Sequence, residues 1–65
     1  MIKIGDRFRP KGRIFGTVIY EVTAKEHSPC KNETLYSLEL IVPSTGHIIC
    51  DLSEDTLNEN YKKIN

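Results

Sequence analysis

Tryptophan is missing from this 65-residue chain, and its aromatic side chains come to two phenylalanines and three tyrosines. A core built without large rings must be compact and filled by Ile, Leu, Val and those few aromatics. At this length the apolar gain of folding and its conformational-entropy cost nearly cancel. No stretch approaches the roughly 20 consecutive apolar residues of a membrane-spanning helix. The opening residues MIKIGDRFRP lack the apolar run and small-residue cleavage site of a secretory signal, which predicts a cytosolic protein. Cysteine is scarce as well: Cys30 and Cys50 are the only two, and in a reducing compartment both are expected as free thiols. The sequence carries no internal repeat and no low-complexity segment. A chain this short leaves little room for a scaffold plus a substrate cleft on the order of several hundred Å3. An enzyme is therefore not expected, and nothing in the sequence calls for a cofactor.

Net charge is also missing, with nine Lys or Arg against nine Asp or Glu. A neutral chain argues against a protein that coats nucleic acid. The charges are nevertheless segregated. Residues 1–25 hold six bases and two acids, whereas residues 26–65 hold three bases and seven acids. That split predicts a dipolar surface, able to pair across the fold or between copies.

What is present reads as one mainly β domain over residues 1–65. Residues 2–8, IKIGDRF, form a short first strand with Ile2, Ile4 and Phe8 as inward candidates, and Gly5-Asp6 can bend it. RPKGR follows as a loop, broken by Pro10 and Gly12. In GTVIYEVTAKE, Val18, Tyr20, Val22 and Ala24 alternate with Thr17, Ile19, Glu21 and Thr23, the period of a strand. HSPCKNE is a polar loop, and TLYSLELIV is a second strand with Tyr36, Leu38, Leu40 and Val42 on one face. Pro43–Gly46 has the length of a hairpin turn. It leads into HIICDL, with Ile48, Cys50 and Leu52 on one face.

The end of the chain reads as a helix over about residues 54–64. Ser53 is the cap, Glu54 and Asp55 oppose the helix dipole, and Leu57, Tyr61 and Ile64 share a face. The expected architecture is a small antiparallel barrel or a strongly curved sheet of four to five strands, closed by that helix. A flat three-stranded sheet with the helix across it is the competing arrangement.

Gly5-Asp6-Arg7-Phe8, Tyr20-Glu21-Val22 and Leu57…Tyr61-Lys62-Lys63-Ile64 together carry a resemblance. In these motifs the chain resembles small Src-homology-3-like barrels of phage and mobile-element proteins from low-GC bacteria. The resemblance spans nearly the whole chain. It implies a fold and a genomic habit, and it transfers no catalytic residue. Functions vary across such barrels and include inhibition of host machinery, so fold alone does not assign one.

Four constellations are candidates for chemistry. Arg7, Arg9, Lys11 and Arg13 alternate, so in an extended segment they form one cationic row, with Phe15 as a stacking ring beside it. This row is either a phosphate track or a solvated loop balanced by the acidic half. His27-x-x-Cys30 and His47-x-x-Cys50 offer four ligands of zinc-binding type. Against zinc, side chains three apart on a strand point to opposite faces, and a buried Cys50 with an exposed His47 is the simpler expectation. A Cys–His dyad lacks a third, orienting group. Asp51, Glu54 and Asp55 serve helix initiation. Finally, Phe15, Ile19 and Ile41 are apolar residues on outward positions, and together with the Arg row they have the composition of a protein-docking surface or a symmetric dimer face. The expected function is a non-enzymatic module that docks on a protein partner, with nucleic acid as the alternative and no membrane contact.

Overall fold

The computed structural model describes residues 2–12, 18–30 and 32–64. It contains β1 (Arg7–Pro10), β2 (Ile19–Ser28), β3 (Glu33–Val42), β4 (Ser44–Ser53), α1 (Glu54–Asn60) and β5 (Tyr61–Lys63). All strand pairs are antiparallel. They form one five-stranded sheet in the order β4-β3-β2-β1-β5. The sheet has two ends, β4 and β5, so the chain folds as a small open sheet rather than as a closed barrel. The flat three-stranded alternative is excluded by β1 and β5.

The first strand lies further along the chain than its sequence pattern predicts. Residues 3–6 make a turn instead: the Asp6 backbone N–H donates to the Lys3 carbonyl at 3.0 Å, and the Lys3 N–H donates to Asp6 Oδ2 at 2.8 Å. Gly5 takes φ 97° there, a left-handed value that suits glycine. The turn is tied to β2 by bonds of 2.9 Å between Gly5 N–H and the Val22 carbonyl and between Val22 N–H and the Asp6 carbonyl. It buries Ile2 but leaves Ile4 60% exposed, contrary to the inward expectation for that residue. Arg9 then lies on strand β1 together with Arg7, not on the loop expected for it, and the two flank the buried Phe8.

Bulges decide which side chains face the core. In β2, Val22 pairs with Leu38 but Ala24 pairs with Ser37, so Thr23 is an inserted residue. The alternation flips beyond it, and Ala24 is exposed instead of inward. In β4, Leu52 pairs with Tyr36 and Ile49 with Leu38, so Cys50 and Asp51 together oppose Ser37 alone. Asp51 takes φ 59° at this bulge. The core face of β4 is therefore Ile49 and Leu52, while Ile48 and Cys50 are exposed. The turn after β3 is tighter than four residues: the Val42–Pro43 bond is cis, and Ser44 already pairs with Ile41.

The helix is shorter than its sequence pattern predicts. Ser53 caps it, its Oγ accepting from the Thr56 N–H at 3.2 Å, and Leu57 is fully buried beneath the sheet's curve. After Asn60 the chain extends, because Tyr61, Lys62 and Lys63 pair with Pro10, Arg9 and Phe8. The last turn contains no base of its own. Lys11 supplies one from outside, donating Nζ to the Asn58 carbonyl at 2.8 Å and its backbone N–H to the Asn60 carbonyl at 2.9 Å. These bonds satisfy carbonyls that a helix end otherwise leaves open. The core itself comprises Ile2, Phe8, Val22, Tyr36, Leu38 and Leu57, with Tyr20, Leu52 and Tyr61 packed around it. Tyr20 and Tyr61 meet edge to face at a centroid distance of 5.7 Å.

Candidate binding groove

The pairing of β1 with β5 collects positive charge from two distant stretches of sequence. Arg9 stands directly opposite Lys62. Residues opposite each other in an antiparallel pair share a face, and like charges there disfavour the pairing. Lys11 follows β1 and is held at the end of α1, while Lys63 lies one residue beyond Lys62. These four cations, with Pro10 and Ile64, line an open groove of about 580 Å3. None of its described lining residues is a carboxylate.

Two of the cations are anchored at one side. Lys11 is fixed by the Asn58 carbonyl, and Lys63 Nζ lies 3.3 Å from Asp6 Oδ2. The Asp6 carboxyl is held below its ordinary value, chiefly by the Lys3 backbone N–H and further by Lys63. Arg7 lies outside the groove on the neighbouring register position, opposite Glu21, with its Nε 3.9 Å from a Glu21 carboxylate oxygen. At that separation and exposure the pair contributes little to stability.

The opposite end of α1 is acidic. Glu33, Glu54 and Asp55 border a smaller hollow with Thr34, Tyr36 and Ser53. Burial, and secondarily Glu54, push the Tyr36 hydroxyl up from its ordinary pKa. The helix thus carries acids at its amino end and a borrowed lysine at its carboxyl end, both in the sense its dipole favours. The charges at the two ends of α1 do not follow the split along the sequence, since Lys62 and Lys63 come from the acidic half and join Arg9 and Lys11 in the groove.

Among the residues singled out from sequence, Arg9 and Lys11 come together in the groove, and Arg7 is adjacent on the strand. Arg13 and Phe15 lie outside the described residues. Ile19 and Ile41 are partly buried within the sheet, so they are weaker docking anchors than expected. Among the described residues the exposed large apolar side chains are Ile4, Val42, Ile48 and Ile64. The two His-x-x-Cys pairs do not meet: His27 pairs with Thr34 at one end of β3, whereas Ile48 and Ile49, between His47 and Cys50, pair with Glu39 and Leu38. Among the described residues no three His, Cys, Asp or Glu side chains converge as a metal site would require. Cys50 is exposed rather than buried, as is Cys30.

Lys62 and Lys63 are the groove residues that the sequence pattern concealed, because they continue an apparent helix. The usable signal was Asn58 and Asn60, residues that favour helix ends over helix interiors. No protein-family model matches the chain, and neither a curated protein nor a solved structure matches it.

Proposed function

We propose that the chain is a non-enzymatic binding module that docks on an acidic segment of a protein partner through the β1–β5 groove. The observation that carries this reading is the juxtaposition of Arg9 and Lys62 in a groove whose described lining also includes Lys11 and Lys63 and no acid. Strand pairing holds these two cations on one face, where both can donate charge-assisted hydrogen bonds to the carboxylates of one acidic segment. Pro10 and Ile64 supply apolar contact beside the charges, as protein interfaces do.

Nucleic acid is the second reading, favoured by the same cations. Two observations support protein over it. The seven acids of residues 26–65 leave the molecule neutral, so a long phosphate chain gains little beyond the groove. In addition, every described aromatic ring is buried or partly buried, which leaves no open stacking platform among the described residues. The resemblance to phage and mobile-element barrels adds the expectation that the partner belongs to host machinery, with the chain acting as an inhibitor in the cytosol.

The test uses a fluorescent oligoglutamate peptide and a single-stranded oligonucleotide of equal charge, each titrated with the protein at rising salt. Oligoglutamate binding that weakens by at least about tenfold in the Arg9→Glu/Lys62→Glu variant is the expected result. Binding of the oligonucleotide alone transfers the groove to nucleic acid. Binding of neither, at low salt, removes the groove from consideration.

A further inference from the structure

The other end of the sheet poses a separate question. β4 is ten residues long and is an edge strand, and among the described residues no strand lies beyond it. Edge strands present unpaired backbone groups, and proteins usually guard them with lysine, proline or short length. β4 has none of these: it contains no Lys, Arg or Pro, and Asp51 is its one formal charge. Its middle is His47-Ile48-Ile49-Cys50, with Ile48 54% exposed and Cys50 exposed. We propose that this edge pairs with the same edge of a second copy of the chain, joining two five-stranded sheets about a two-fold axis.

Charge and symmetry favour a second copy as the occupant. An axis normal to the sheet keeps outer faces together, so Ile48 meets either Ile48 or Cys50 of the other copy. Asp51 lies at the end of the straight run, so in neither register does it face its counterpart in the other copy. The β5 edge cannot pair with itself in the same way, because Lys62 and Lys63 fill two of its three positions. A net charge of zero adds no overall repulsion between copies.

The bulges limit the contact. Asp51 at φ 59° and Gly46 at φ 79° bound the straight run, so only residues between them can form a ladder. Such a contact buries far less than the roughly 1,200 Å2 of a stable interface. The dimer is accordingly weak, and it is closed rather than fibrous because each copy uses one edge.

Sedimentation equilibrium from micromolar to millimolar protein tests this. A monomer–dimer equilibrium is expected, with the dissociation constant raised at least about tenfold by Ile48→Lys, a gatekeeper charge at an exposed position. Ile4→Lys, at a residue 60% exposed elsewhere, should leave it unchanged. Independently of whether Ile48→Lys folds, a short bismaleimide should link two copies through Cys50 in a Cys30→Ser background. A monomer at all concentrations, a dimer indifferent to Ile48→Lys, open-ended oligomers, or no Cys50 cross-link would each overturn the proposal.

Discussion

The two ends of this sheet meet the same physical problem with opposite chemistry. β5 is three residues long and carries Lys62 and Lys63, whereas β4 is ten residues long with a single formal charge. Charge and shortness protect β5 from like strands while making it attractive to anions. β4 is protected only by its bulges. The difference is what the two proposals rest on: a short cationic edge suited to an acidic ligand, and a long edge with one formal charge that nothing in its composition bars from self-pairing. α1 joins them, since it follows β4 directly and leads directly into β5.

The largest break in this comparison comes from the element the edges share. Leu57 is fully buried and anchors α1 to the core. Leu57→Ala is expected to cost about 2–5 kcal/mol, from lost transfer energy and the remaining cavity. For a domain near the lower size limit that is most of its stability. Urea unfolding would show a midpoint shifted far down, and both the groove and the β4 edge would fail together.

A smaller effect tests β4 alone. Asp51 adopts φ 59°, a conformation that aspartate tolerates better than alanine does. Asp51→Ala should destabilise by about 1 kcal/mol and Asp51→Gly by less, or not at all. Equal losses in the two variants, measured by urea unfolding, would mean that the aspartate side chain rather than the backbone angle matters at the bulge. The corresponding change at the other end is Lys11→Met, which removes the bond to the Asn58 carbonyl while keeping the stem. A loss of about 0.5–1 kcal/mol is expected, with slower amide exchange in α1 of the parent than of the variant.

Lys62→Glu sharpens the contrast by moving stability and binding in opposite directions. Placing a carboxylate opposite Arg9 replaces a like-charge pair with an attractive one, and should raise stability by about 0.2–1 kcal/mol. The same change should weaken oligoglutamate binding. A variant that is both less stable and a better binder would contradict the assignment of Arg9 and Lys62 to an anion site.

These expectations show where the sequence was readable. The alternation around Val22 and Leu38, the Ser53 cap and the outward Arg7 and Arg9 about Phe8 follow from period and residue type, and each is seen in the structure. The bulges at Thr23 and Cys50-Asp51 were not legible, because an inserted residue leaves no mark in composition yet reverses every side chain beyond it. That reversal exposed Ala24, Ile48 and Cys50. Tyr61–Lys63 continues a helical pattern although its local preferences allow either state, and pairing with β1, some fifty positions away, decides for strand. Half of the groove's cations were therefore visible only after folding. The β4 edge was hidden for a related reason: which strand ends a sheet is a property of topology, not of any one segment.

The smallest effect concerns acid. Asp6 lies between the Lys3 N–H and Lys63, and its carboxyl is held below the ordinary value of 3.8. A carboxylate whose pKa is lower in the folded state favours folding when ionised. Its contribution is complete above the unfolded value and disappears as pH falls through the lowered one. Asp6→Asn should therefore flatten the acid limb of stability against pH below about 4, and leave the neutral-pH groove cations in place. Because Lys63 also lines the groove, the same variant frees one of its partners, so oligoglutamate binding at neutral pH should strengthen slightly. Weaker binding in Asp6→Asn would mean that Asp6 positions Lys63 for the ligand rather than competing with it.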